Sequence, residues 1–217
     1  MILKISSVSA LNSGEEIRIT FECISDDGSK SSCESFVIPS GKYLTMGLAK
    51  GECTTELYDD VACLSEVWQA TKCGMRILAN GACSQKALRI KLISKGFDKS
   101  VATEAVLQLE AMGLIREKEN AVCVAQGFAM KLWGKRRIAS GLYEKGYSST
   151  AIEYALNTLE DNGTDYTESC KRLVEKSYSH IPKEQRERGK LIASLQRYGY
   201  SMSEIKQAFT LVNKKAD

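Results

Sequence analysis

Residues 88–113 read LRIKLISKGFDKSVATEAVLQLEAMG, and they spell helix, tight turn, helix. Leu88, Leu92 and Ile93 recur at helical spacing and form one apolar stripe. Lys95-Gly96-Phe97 closes that helix, because glycine enters the left-handed conformation without steric cost. Asp98 is a residue type suited to cap the second helix, and Ala102, Ala105, Val106 and Leu109 give that helix its stripe.

The same passage is written twice more. Residues 138–163 read IASGLYEKGYSSTAIEYALNTLEDNG, with Lys145-Gly146-Tyr147 at the turn; residues 191–216 place Tyr198-Gly199-Tyr200 there. The three glycines are 50 and 53 residues apart, and each is followed by an aromatic and then a cap candidate: Asp98, Ser148, Ser201. Ser201 with Glu204 has the spacing of a capping box. Matched apolar offsets in three copies mark an internal repeat whose period is one supersecondary unit. A further helix precedes each pair, over about 66–80, 117–132 and 165–178. The expected organisation is therefore a segment 1–61 followed by three-helix repeats at 62–113, 114–163 and 164–217. The fold class is mainly α: three tandem three-helix repeats forming an elongated curved array, preceded by a small antiparallel β segment. Pro182 suits the first turn of the helix that begins there.

The first forty residues change period. Ile17, Ile19, Phe21 and Cys23 alternate with Glu16, Arg18, Thr20 and Glu22, which predicts a strand with one buried and one solvated face. Turn signals at Asn12-Ser13-Gly14 and Asp26-Asp27-Gly28, and a short strand 35–38 stopped by Pro39, complete a meander that packs on the first helices. Gly41 and Gly51 flank a transitional segment, and a helix begins near Thr54 or Thr55.

Composition narrows the chemistry. At 43% hydrophobic and 26% charged residues, the 217-residue chain has the balance of a globular protein. No apolar run approaches the roughly 20 residues of a membrane span, and the N-terminus lacks a basic region followed by an apolar one, so a cytoplasmic protein without a membrane partner is expected. None of the eight cysteines lies two to four residues from another, so no zinc-type pair exists and buried or half-buried reduced thiols are expected. The single histidine, His180, reads as a surface loop residue, and no phosphate-binding glycine loop is present. No cofactor and no catalytic activity are expected.

Charge is unevenly distributed. Residues 1–61 carry 5 Lys+Arg against 10 Asp+Glu; the remainder carries 25 against 17. The basic repeats suit an acidic partner such as nucleic acid or a nucleoprotein surface. The densest patch is Lys131, Trp133, Lys135, Arg136 and Arg137, at the junction of the first two helices of repeat two. Cations at a helix N-terminus oppose its dipole, an arrangement that calls for some other role. Lys86, Arg89 and Lys91 in repeat one, and Lys183, Arg186, Arg188 and Lys190 in repeat three, are secondary candidates.

A β segment before three three-helix units, the Lys-Gly-aromatic turns, Leu109-Glu110-Ala111-Met112-Gly113-Leu114-Ile115, Leu159-Glu160-Asp161-Asn162-Gly163 and Trp133-Gly134-Lys135-Arg136-Arg137-Ile138 together resemble the RecX family of recombinase regulators. The chain departs from the family pattern at Arg116-Glu117, Asn120-Ala121 and Gly81-Ala82-Cys83-Ser84. The resemblance implies a monomeric regulator of homologous recombination and DNA repair. Such a protein binds the RecA recombinase filament, meets DNA directly or through that filament, and inhibits RecA ATPase and strand exchange. The basic helices on their own also suit a DNA-binding module independent of RecA.

Overall fold

The structure, a computed structural model, describes residues 2–24, 30–177, 181–182 and 184–216. It is mainly helical with a small antiparallel sheet at the N-terminus. The chain divides into two compact units: Met1–Gly81 with Leu88–Leu114, and Ala82–Ala87 with Ile115–Asp217.

In the first unit, β1 (Ile2–Leu11), β2 (Glu16–Ile24), β3 (Lys30–Pro39) and β4 (Gly51–Cys53) form a sheet of order β3-β2-β1-β4. Every pairing is antiparallel. The third strand is longer than the 35–38 expected. The transitional segment holds two elements, helix α1 (Ser40–Met46) and β4, which pairs Gly51–Cys53 with Ile5, Lys4 and Leu3. Helix α2 (Thr55–Ala79) is a single 25-residue element, and the Thr54 hydroxyl caps it by accepting from the Leu57 N–H. Ile5, Ile19, Phe21, Ile38 and Val61 bury the sheet face against α2. Ser65 of α2, 1% exposed, accepts the Val37 N–H with its hydroxyl and so covers part of the β3 edge.

Glu16 overturns an expectation. Its place in the alternation put it on the solvated face, yet it is only 5% exposed. Trp68 Nε1 and Lys72 Nζ, one turn apart on α2, donate to one carboxylate oxygen at 2.5 and 2.7 Å, and Asn12 Nδ2 donates to the other at 2.5 Å. The Lys72 ammonium is the main cause holding the carboxyl below its usual range. Helices α3 (Gln85–Ser94) and α4 (Lys99–Ala111) complete the order of elements up to residue 111. At Gly74 of α2 an added Cβ would sit 2.5 Å from Leu109 Cδ1, so the glycine lets α4 approach.

The second unit holds α5 (Glu117–Ala129), α6 (Lys135–Glu144), α7 (Ser149–Asp161), α8 (Tyr166–Ser177), α9 (Gln185–Arg197) and α10 (Met202–Ala216). Its core is continuous from Ala121 and Ile138 to Tyr200 and Phe209. The chain turns where the glycines predicted. Gly96, Gly146 and Gly199 have φ of +97°, +81° and +94°. After each, the aromatic N–H reaches back five residues: Phe97 to Leu92, Tyr147 to Leu142, Tyr200 to Leu195, at 3.1–3.4 Å. These are three Schellman closures. Ser148 caps α7 by accepting from the Ala151 N–H, and Ser201 with Glu204 makes the reciprocal capping box. Asp98 occupies the cap position without a side-chain hydrogen bond. Pro182 lies outside the helix it was expected to start, because α9 begins at Gln185 with Glu184 at the cap.

Candidate partner-binding surface

The densest basic patch lies on a seam. Helix α5 ends at Ala129, and the chain then takes Leu132 into the left-handed region at φ +57° before entering α6 at Gly134. That conformation is strained for a leucine; Leu132 N and Trp133 N close the segment locally on Ala129 O and Phe128 O, and three further hydrogen bonds tie it to residues 198–200. Tyr200 Oη donates to Leu132 O at 2.7 Å, Gly134 N donates to Tyr198 O at 2.8 Å, and Arg136 N donates to Gly199 O at 3.3 Å. Burial pushes the Tyr200 phenol up, which keeps it protonated as the donor. The approach is close enough to require glycine on both sides. A Cβ on Gly134 would lie 2.5 Å from Gly199 C, and one on Gly199 would lie 2.4 Å from Arg137 N.

This geometry sorts the patch. Trp133 stacks on Phe128 with centroids 4.4 Å apart, and the Arg137 guanidinium lies 4.2 Å from the Trp133 ring and 4.8 Å from the Tyr198 ring. Arg137 is thus half-buried cement in the seam, a flat cation between two aromatic faces. Lys135 pairs with Glu160 at 2.5 Å. Lys131 and Arg136 are exposed. Tyr198 and Tyr200 belong to this arrangement although sequence reading placed them only in a turn; the aromatic on each side of Gly199 was the available signal.

A second seam repeats the first. Ser84, 1% exposed, donates its hydroxyl to Lys145 O at 2.8 Å and accepts the Ala87 N–H at 3.1 Å. A Cβ on Gly146 would meet Ser84 Oγ at 3.0 Å and Lys86 Cβ at 3.2 Å. Lys86 Nζ stands 5.9 Å from the Tyr143 ring. The entries into α3 and α6 therefore each dock on the Gly-aromatic turn of the next helix pair along the chain.

The secondary candidates do not join these seams as a group. Arg89 is half-buried and Lys91 exposed on α3. On α9, Arg186 is exposed, Lys190 pairs with Glu187 at 2.7 Å, and Arg188 lies 5.5 Å from the Phe209 ring. Lys183 and His180 lie outside the described residues. All eight cysteines are free. Cys83 and Cys170 are buried, but Cys33, Cys63 and Cys123 are exposed, against the expectation of burial for all. Burial raises the Cys170 thiol to about 12 and makes it inert. Among the described residues no group of three or more metal-ligating side chains converges, and no helix is long and apolar enough to cross a membrane.

Comparison with known proteins gives a consistent set. The chain is 30% identical over 140 residues to the regulatory protein RecX of Chlorobaculum tepidum, a match covering 64% of this chain and 84% of that one. It is 26% identical over 179 residues to the regulatory protein RecX of Caldanaerobacter subterraneus subsp. tengcongensis, covering 82% and 88%. No protein-family model matches. Among solved structures, a crystal structure of a regulatory protein RecX superposes with a TM-score of 0.71 at 20% identity, over 94% of this chain and 98% of that one. RecX from Lactobacillus salivarius superposes at 0.60 and 22% identity, over 68% and 97%. At these identities the structures establish the fold.

Proposed function

From the premise that the chain belongs to the RecX family of regulatory proteins, we propose that it binds the RecA–DNA filament as a monomer in the cytoplasm and lowers RecA ATPase and strand exchange. The observation that carries this reading is the division of labour in the basic patch. Arg137 holds the α5–α6 entry to the Tyr198–Tyr200 turn, while Lys131 and Arg136 point their charge at solvent. Charge with no part in the fold is available to a nucleoprotein surface. Lys91 and Arg186 add to the supply in the neighbouring repeats. The three-helix repeats at 62–113, 114–163 and 164–217 belong to the same reading, supported by three matching turns and two matching seams. A repeated surface meets a repeated filament at several points, and modest contacts then combine through effective concentration.

The test is the DNA-dependent ATPase of the cognate RecA titrated with this protein. Inhibition well below one copy per RecA is expected. The variant pair Lys131→Glu with Arg136→Glu should weaken inhibition about tenfold or more and leave the thermal transition in place; Arg137 is spared because it holds the seam. An unchanged ATPase together with steeply salt-sensitive binding to bare DNA would replace this reading with an independent DNA-binding module.

A further inference from the structure

The seams leave one turn unused. Gly146 and Gly199 are each approached closely by a preceding helix entry, but a Cβ on Gly96 would meet no atom within 4 Å. The aromatics agree: Tyr147 and Tyr200 are 4% and 0% exposed, whereas Phe97 is only half-buried. Beside that turn, inside the first unit, lies a cavity of about 470 Å³ lined by Gln69, Lys72, Cys73, Arg76, Lys95 and Phe97. Cys73 and Phe97 stand 50 residues before Cys123 and Tyr147. At Tyr147 the corresponding turn is covered, since Ser84 and Lys86 lie against Gly146.

We propose that the groove at Gln69, Cys73, Arg76, Lys95 and Phe97 receives a helix N-terminus of a protein partner, with a small residue at its cap and an acidic first turn. The inference rests on the filament reading, with the partner's helix taking the place that the chain's own helix entries take at the other two turns. The cap must be small because the entering segment presses against the turn, as Gly134 and Ser84 do. The sign of charge comes from the lining. The internal entries bring cations, Lys86 in one and Lys135 in the other, and the latter meets Glu160. The groove at Phe97 contains no carboxylate in its lining, Lys72 is committed to Glu16, and Arg76 and Lys95 form no ion pair among the described residues. An acidic first turn is also what a helix dipole favours. The α9 entry of a second copy, which has no turn to dock on within its own chain, does not fit. Ser84 and Gly134 stand four residues before the buried Leu88 and Ile138, and the residue four before Leu191 is Glu187, too bulky to approach a turn backbone.

The experiment measures binding of the full-length protein, fluorescently labelled, to RecA–ssDNA filaments, using two groove variants. Arg76→Glu with Lys95→Glu reverses the charge, and Gln69→Trp obstructs the groove from an exposed position without changing charge. Both are expected to weaken binding tenfold or more with the thermal transition unchanged. Affinity within twofold of wild type for either variant overturns the groove proposal while leaving filament binding standing. Absence of wild-type filament binding overturns both, and a concentration-dependent increase in mass that the charge reversal abolishes would assign the groove to a second copy instead.

Discussion

The two helix entries, at Ser84 and at Gly134, dock on the same kind of turn with different chemistry. The first uses a hydroxyl: Ser84 both caps its own helix and donates to Lys145 O. The second uses backbone, with Gly134 N on Tyr198 O, and adds the Tyr200 phenol and the Arg137 guanidinium between two rings. What recurs is therefore the backbone approach to a left-handed glycine, and the side chains are local solutions to it. The comparison also explains why cations sit at a helix N-terminus against the dipole. In the second entry one of them is part of the joint.

A graded glycine series breaks this comparison most forcefully. Gly199→Val combines strain at φ +94° with a collision against backbone 2.4 Å away, and should cost roughly 4 kcal/mol or more. Gly146→Val meets a movable hydroxyl at 3.0 Å and should cost about 2–3 kcal/mol. Gly96→Val has only the strain, about 1–2 kcal/mol. Urea unfolding reads all three, and equal losses would show that the seams contribute nothing.

Acid titration separates the seams from the tie in the first unit. The seams are held by neutral or cationic donors, whereas Glu16 is held as an anion with its pKa below the unfolded value. Its contribution is complete above the unfolded carboxylate pKa and is lost as pH falls through the depressed folded value. Trp68 donates to Glu16 and Trp133 lies in the seam, so the two tryptophans report separately. Acidification through the ordinary carboxylate range and below it should shift Trp68 fluorescence in a Trp133→Phe background before Trp133 fluorescence moves in a Trp68→Phe background. Glu16→Gln should remove the difference and about 2 kcal/mol. The smallest expected effect compares the joints directly. Tyr200→Phe leaves Leu132 O without its donor and should cost about 1–1.5 kcal/mol, and Ser84→Ala about 1 kcal/mol. A Tyr200→Phe protein as stable as wild type would remove the phenol from the account of the second seam.

The turns were legible in the sequence because a Schellman closure is local: glycine, an aromatic and an apolar residue five positions back declare it. The overall class came from that periodicity, and the family from the resemblance carried by the turns, the Leu-Glu-x-x-Gly endings and Trp133–Ile138. The docking of Gly134 on Tyr198 was not legible, because it joins residues 64 positions apart and depends on two backbones being bare of Cβ atoms. Glu16 misled for a different reason. An acidic residue opening an alternating strand looks solvated, and only α2, arriving with Trp68 and Lys72 one turn apart, makes its burial favourable. Helix α1 and strand β4 are too short for periodicity to reveal. In the candidate site, sequence found the cations of the central patch but could not divide them, since only the rings around Arg137 distinguish a structural cation from an available one.

Leu132 carries a consequence for the order in which the chain is made. Its left-handed backbone is tied down by the phenol of Tyr200, 68 residues later. On the ribosome the α5–α6 corner emerges with only its local closure on Phe128 O and Ala129 O, and the bonds that tie it to Tyr198–Tyr200 form once that turn has been synthesised and docked. A chain cut short after Ser177 keeps the sequence of its central patch while losing the turn on which that patch docks.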